Sequence, residues 1–442
     1  MWRAICKTVI YPAWDLWDGT GRLRELRSLG RSERWSTPEL RQLQFARLGG
    51  MLQYAYESCG YYRRKWPRRP VLERLEDIQA LPIVSKGEIS ADLEGFISNQ
   101  YTQATLVEAK TGGSTGVALR VFFDEHCQKM RNAAAMRTDS WAGWEPGSLV
   151  AALWGSPPIP KSIKEKIRNT LHDRLFYLDT MRLDEHTMSD FAAQMRRRRP
   201  QMLFGHAHSL FIFADFLQGR SIRVPAVQGI ISTSMMLIES ERKIIESVFG
   251  APVTNRYGCE EVGLIGSECE QHNGMHLNAE HVFVEFLRED GRWAAPGEEG
   301  RLVVTDLMNH GMPLIRYAVG DIGVPSDRVC ACGRGLPLME RLTGRTADFL
   351  KRSDGSQVAG ISLVEKTLTA IDGIEQLQII QEKLDGFVLN VVAAYDYSSA
   401  SAGQLTQVMR EVFGQEARVE IRLVERLTQE RNSKYRFSIC RI

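Results

Sequence analysis

Short apolar runs alternate with stretches of helical period through the middle of this chain, and that alternation leaves few folds open. Ser148-Leu-Val-Ala-Ala-Leu-Trp154 and Ala226-Val-Gln-Gly-Ile-Ile231 have the unbroken apolar character of strands buried between helices, while residues 239–249 carry helical spacing. The middle of the chain is therefore expected to be layered α/β. Downstream the pattern becomes that of alternating strands, at residues 281–287 and 301–305, joined through Pro296-Gly-Glu-Glu-Gly300. This predicts a strand-rich subdomain. After Gly344, strands at about 377–380, 387–393 and 419–423 interleave with helices at about 361–371 and 402–413, the order of a small α+β domain. At the other end, Ser36-Thr-Pro-Glu39 caps a helix running to about Cys59. The expected division is a large domain over 1–345, with a helical region over about 1–65, and a small one over 346–442.

Charge excludes some partners. With 56 basic and 54 acidic side chains in 442 residues the net charge is +2, so no global field recruits nucleic acid or a membrane. No run approaches the roughly 18 apolar residues of a spanning helix, and the first residues lack a secretory apolar core. A soluble, cytoplasmic protein acting on small molecules is the expectation. Trp2, Ile5, Val9, Trp14 and Trp17 suit an amphipathic helix packed on the body rather than lying on a membrane. The eight scattered cysteines suit reduced thiols.

The run Thr111-Gly-Gly-Ser-Thr-Gly116 can gather backbone N–H groups and hydroxyls around a phosphate, or can equally be a surface turn. Four stretches follow it in order. Asn255-Arg-Tyr-Gly-Cys-Glu-Glu-Val-Gly263 carries paired carboxylates suited to a magnesium ion on nucleotide phosphates. Pro313-Leu-Ile-Arg-Tyr-Ala-Val-Gly-Asp321 places an aspartate, expected at a strand end, for the hydroxyls of a ribose. Leu342-Thr-Gly-Arg-Thr-Ala-Asp348 lies at the boundary between the domains, and Asn432-Ser-Lys-Tyr-Arg436 supplies a lysine near the C-terminal end.

The ordered set resembles the adenylate-forming superfamily of acyl-CoA synthetases and ligases, and within it the phenylacetate-CoA ligase-like and capsular-polysaccharide-biosynthesis branch. Gln44 through Arg63 and Leu81-Pro-Ile-Val-Ser-Lys86 also look like that branch. The resemblance implies an α/β adenylate-forming fold: a large layered domain with a strand-rich subdomain, and a small mobile α+β lid. It implies an enzyme that joins a small or aryl carboxylic acid to AMP with loss of pyrophosphate, then passes the acyl group to CoA or another nucleophile.

By matching positions, Thr111, Gly112, Gly113, Ser114, Thr115 and Gly116 would hold the outer phosphates of ATP. Glu261 would ligate magnesium, Tyr257 and Gly258 would lie at the adenine or α-phosphate, and Asp321 with Arg345 would bind the ribose. Lys434 would bridge carboxylate and phosphate as the catalytic cation, with Thr115 and Glu261, and Asp348 would mark the hinge. Gly205, His206, Gly229 and Ser232 would line the acyl pocket, with His208 nearby. The branch usually has a glutamate at Met235, a glycine at Ser433 and an aspartate at Ala347. Two alternatives stay open: an adenylating ligase with a sugar or amine acceptor, and a nucleotide-binding scaffold without turnover. A homodimer is admitted.

Cys269, His276, Cys330 and Cys332 offer three thiolates and an imidazole, a tetrahedral zinc set, with His272 as an alternative fourth ligand. Gly333 would permit the turn that brings the last two sulfurs to one ion. The role expected is structural.

Overall fold

Residues 2–111, 119–155, 162–235, 237, 239–342, 349–425, 427 and 438–442 are described by the computed structural model. Among them, eleven strands form one mixed sheet with a parallel half and an antiparallel half. The parallel half runs, from its edge inward, Leu175–Asp179, Val150–Trp154, Met202–His206, Gly229–Thr233 and Val253–Cys259. The antiparallel half continues with Gly263–Glu268, Met275–Leu277, Leu338–Leu342, Tyr317–Ser326, Gly300–Asp306 and Val282–Leu287.

The parallel strands are apolar because one face of them is covered by helices. Leu203, Ile230 and Val253 pack against Phe191, Leu210, Phe213 and Ile245 from the helices Glu185–Arg198, Ala207–Gly219 and Glu239–Phe249. From Val150–Trp154 the chain steps outward to Leu175–Asp179, then returns on the other side as Met202–His206. That reversal opens a crevice beyond the carboxyl ends of Val150–Trp154 and Met202–His206, where open α/β sheets bind ligands.

The helix Thr37–Ser58 starts at the expected capping box, with Ser36 and Glu39 bonded to each other, and buries Leu48, Met51, Leu52 and Ala55 against the antiparallel half. The N-terminal helical turns divide differently from the expectation. Trp14 is buried with Cys6 and Tyr11, but Trp2, Ile5, Val9 and Trp17 face outward.

The strands Val107–Thr111 and Leu119–Phe123 pair antiparallel, with Thr111 opposite Leu119. The glycine-rich run, whose residues 112–116 lie outside the described residues, is therefore flanked by two strands of a ribbon. C-terminally, a four-stranded sheet has the order Arg418–Leu423, Gly386–Ala393, Ile374–Lys383 and Ser438–Cys440, covered by Gly360–Ala370 and Ser399–Phe413. It has its own core of Leu363, Leu377, Leu389, Leu405 and Phe413. Met181 and Met235 of the large sheet's loops join that core, and the Arg352 guanidinium donates to the Met181 carbonyl. No helix of the described residues is long and apolar enough to cross a membrane.

Candidate nucleotide and acid site

Glu261 lies in the turn after the last parallel strand, where the sheet changes from parallel to antiparallel. Its carboxylate is buried, and its Oε1 accepts from the Tyr317 hydroxyl at 2.8 Å and faces Lys86 Nζ at 3.2 Å. Burial pushes this carboxyl up. Lys86, the residue's own backbone N–H, Tyr317 and Cys259 outweigh that and hold it down at about 2. It is thus a permanently ionised hard oxygen donor, fit to serve as one carboxylate ligand of a magnesium ion on substrate phosphates.

Local sequence explains how these groups meet. Val84 bridges to Tyr317 as a parallel neighbour, its N–H donating to the Arg316 carbonyl at 2.9 Å and its carbonyl accepting from Ala318 at 2.9 Å. The helix Lys86–Ala91 starts two residues later, capped by Ser85 with Glu88, and so presents Lys86 to the Tyr317 strand. Arg316 is fixed by two bonds to Glu285, at 2.9 and 3.0 Å, with a left-handed φ of 52°. From the helix Glu125–Trp141, Arg131 donates to the carbonyls of Glu260 and Glu261 at 3.0 and 2.9 Å and to Asp306 at 3.0 Å, and so sets the turn.

Tyr257 and Asp321 form the second pair. The Tyr257 hydroxyl donates to Asp321 Oδ2 at 2.8 Å. Both residues sit within strands rather than at their ends: Tyr257 in Val253–Cys259, and Asp321 midway along Tyr317–Ser326, which corrects the expectation of a strand-end aspartate. Gly258 lies against the backbone of Gly263 and Leu264, where a Cβ would come within 2.5 Å of the Gly263 carbonyl.

At the crevice, the Trp154 ring stands 4.2 Å from His206 and 5.3 Å from Phe204. Burial lowers His206 to about 4, so at neutral pH it is an uncharged part of an aromatic wall. Gly205 pairs with Ser232, one residue below the ends of their strands, and Ser232 pairs in turn with Asn255. Ser232 Oγ and Asn255 Oδ1 are both buried with no hydrogen-bond partner among the described residues. Gly229 is not brought here. It pairs with Met202 at the opposite end of the strands, where a Cβ would lie 1.8 Å from the Ala142 carbonyl, so it is a packing glycine. His208 is held by Glu241 at 2.6 Å.

Cys269, His276, Cys330 and Cys332 bring one ligand atom each within 4.8 Å of one another. Cys269 Sγ lies 3.6 Å from Cys330 Sγ, and Cys332 Sγ lies 3.2 Å from His276 Nε2. The backbone N–H two residues after each of Cys269 and Cys332 points to the sulfur, at 3.5 and 3.4 Å, and His276 Nδ1 meets the Leu336 carbonyl at 3.3 Å. Such outer bonds orient ligands in metal sites. Burial lowers His276 to about 4, keeping the imidazole neutral, as a ligand must be. The donor set fits zinc. Gly333 takes φ +75°, the turn its position required, and His272 is turned away onto Glu268 at 3.3 Å, which removes it as fourth ligand.

The chain is 25% identical to the phenylacetate-coenzyme A ligase of Thermus thermophilus over 331 residues, 71% of this chain and 72% of that one. It is 23% identical to the phenylacetate-coenzyme A ligase of Aromatoleum evansii over 332 residues, 72% and 73% of the two chains. The CapK C-terminal domain family matches residues 350–441. The structure of 2-hydroxyisobutyryl-CoA ligase with 2-HIB-AMP and CoA superposes with a TM-score of 0.63 at 18% identity, covering 93% of this chain and 92% of that one. This chain is a relative of the phenylacetate-CoA ligases, and its fold is that of the adenylate-forming superfamily.

For this ligase relative, the structure joins two of the ordered motifs, through Glu261–Tyr317 and Tyr257–Asp321. Thr111 closes the ribbon at its backbone. Gly112, Gly113, Ser114, Thr115, Gly116, Arg345, Asp348 and Lys434, with Ala347 and Ser433, lie outside the described residues. Met235 packs with the C-terminal core instead of offering a polar contact. Sequence reasoning missed Lys86, Arg131 and Tyr317 as members of the site. The first and last stood inside recognised stretches, whereas Arg131 carried no local signal.

Proposed function

We propose that this protein is an ATP-dependent, AMP-forming carboxylate ligase. The observation that carries the reading is the convergence of Glu261 and Asp321, each held by a tyrosine from another motif, at the line where the sheet changes from parallel to antiparallel. Glu261 would hold a magnesium ion, which would supply charge neutralisation to the substrate phosphates. The chain's own work is positional: Tyr257 fixes Asp321 to receive the ribose hydroxyls, and Arg131 fixes the turn that presents Glu261. The acid lies against Trp154 and His206, whose neutral ring suits an uncharged aryl or small aliphatic body. Attack of the substrate carboxylate on the α-phosphorus forms one P–O bond and breaks another, releasing pyrophosphate, and preorganised donors stabilise the charge that builds.

Thr111 to Gly116 would hold the outer phosphates, Arg345 would assist at the ribose, and Lys434 would supply the mobile cation. Rotation of residues 346–442 about Asp348 would withdraw Lys434 and admit CoA as acceptor. Acid-dependent exchange of labelled pyrophosphate into ATP tests the first half, and thioester release on adding CoA tests the second. Lys434→Ala should abolish exchange yet leave thioester formation from a supplied acyl adenylate largely intact. Equal loss of both would remove Lys434 from its assigned role. Zinc at Cys269, His276, Cys330 and Cys332 is proposed as a structural staple joining the strand Met275–Leu277 to the loops on either side of it.

A further inference from the structure

Residues 2–17 form a nearly continuous helix on the surface, made of Trp2–Ile5, the wide π turn Cys6–Ile10 and Tyr11–Trp17. Its attachment is specific. Tyr11 stacks on His172 at 3.8 Å and donates to the His172 carbonyl at 2.9 Å, while Cys6 and Trp14 are buried beside it. The π turn keeps Cys6 and Tyr11, five residues apart, on this inward side. The outward side is also apolar. Leu16 is 83% exposed, Trp17 65% and Val9 57%, with Trp2 and Ile5 more than a third exposed. A neighbouring helix, Ile163–Arg168, is tied alongside through Lys164, which meets Asp18 at 2.9 Å and lies 5.0 Å over the Trp17 ring, and it adds Ile163, 77% exposed.

Exposed charge at this face is mostly basic. Lys7 and Lys166 are exposed. Three nearby acids are engaged by the protein: Asp15 by Arg22 and Thr20, Asp18 by Lys164, and Asp173 by Arg168 and His172; Glu165 is exposed. Two tryptophans and aliphatic side chains presented between lysines, on a helix lying flat, are what the surface of an anionic bilayer receives. A second copy of the chain would set this mostly basic face against itself across a two-fold contact. We propose that this face docks the protein on an anionic lipid surface, with Leu16, Trp17 and Val9 entering the headgroup region and Lys7 and Lys166 meeting lipid phosphates.

Flotation of the full chain with vesicles tests this. The protein should float with phosphatidylcholine vesicles containing phosphatidylserine, float less with phosphatidylcholine alone, and be released by raised salt. Leu16→Ser with Trp17→Ser should weaken vesicle binding by about tenfold or more. Lys7→Glu with Lys166→Glu should abolish the preference for phosphatidylserine; both pairs should keep the parental melting temperature. Three outcomes would overturn the proposal: no flotation with phosphatidylserine vesicles, flotation that neither pair alters, or a concentration-dependent dimer of the parent that Leu16→Ser with Trp17→Ser dissolves.

Discussion

The Tyr257 hydroxyl donates a 2.8 Å hydrogen bond to Asp321 Oδ2, joining two motifs that lie 64 positions apart in the chain. It leaves Asp321 oriented before any nucleotide arrives. Tyr257→Phe should therefore keep the fold and weaken ATP binding by about 3- to 10-fold, the worth of one such bond. Asp321→Ala should cost more than about 100-fold in exchange, since it removes the ribose contact itself. Titration calorimetry with ATP compares the two.

Lys86→Met removes the largest force holding Glu261 ionised. Burial then raises the carboxyl, so the acid limb of the exchange rate should move to higher pH. Stability at neutral pH should fall by about 3 kcal/mol, because a buried charge is left unpaired. In the parent, the depressed carboxyl contributes stability that is full above about 4.5 and lost as pH falls toward about 2. Denaturant melts of the parent and Glu261→Gln should accordingly converge across that window.

His206 and His281 are lowered by burial to about 4 and about 3, from an ordinary value of 6.5. The unfolded chain binds their protons first. Stability present above 6.5 should therefore decline as pH falls through 6 toward 4, by up to roughly 1.4 kcal/mol per pH unit for each histidine. His281→Asn should flatten the slope by about one proton. An unchanged slope would mean that His281 is protonated in the folded protein.

Much of the fold was legible because periodicity reports burial directly. The strands at Val150–Trp154 and Gly300–Asp306 and the helix Glu239–Phe249 begin and end within a few residues of their apolar runs. Metal spacing was legible too, since four candidate ligands from one strand and two loops meet. What the sequence could not display is depth along a strand: Gly229 and Ser232, three residues apart, serve packing and crevice respectively. Nor could it display Arg131, whose role depends on a turn 130 positions downstream. The outward half of the N-terminal helix was hidden for the same reason, because apolar residues on both sides of a helix do not say which side the body covers.

Gly229→Ala should destabilise by about 1–3 kcal/mol, since its Cβ would meet the Ala142 carbonyl at 1.8 Å and backbone must shift. Gly50→Ala, in the interior of the helix Thr37–Ser58 with nothing within 4 Å, should stabilise by about 0.5–1 kcal/mol. Thermal melts of both distinguish close packing from helix propensity.

Purified protein should carry one zinc per chain, lost on prolonged chelation with a fall in melting temperature. Cys332→Ser should bind zinc more weakly by at least the roughly 10–100-fold seen on removing an outer bond of such sites. Elemental analysis giving no zinc would remove the staple.

The most direct measurement is exchange of radiolabelled pyrophosphate into ATP across a panel of aryl, aliphatic and hydroxy acids. At least one acid should drive exchange, with AMP as the nucleotide product once CoA is supplied, and Asp321→Ala should suppress it. ATP binding without exchange for any acid, or ADP as the product, would contradict an adenylating role.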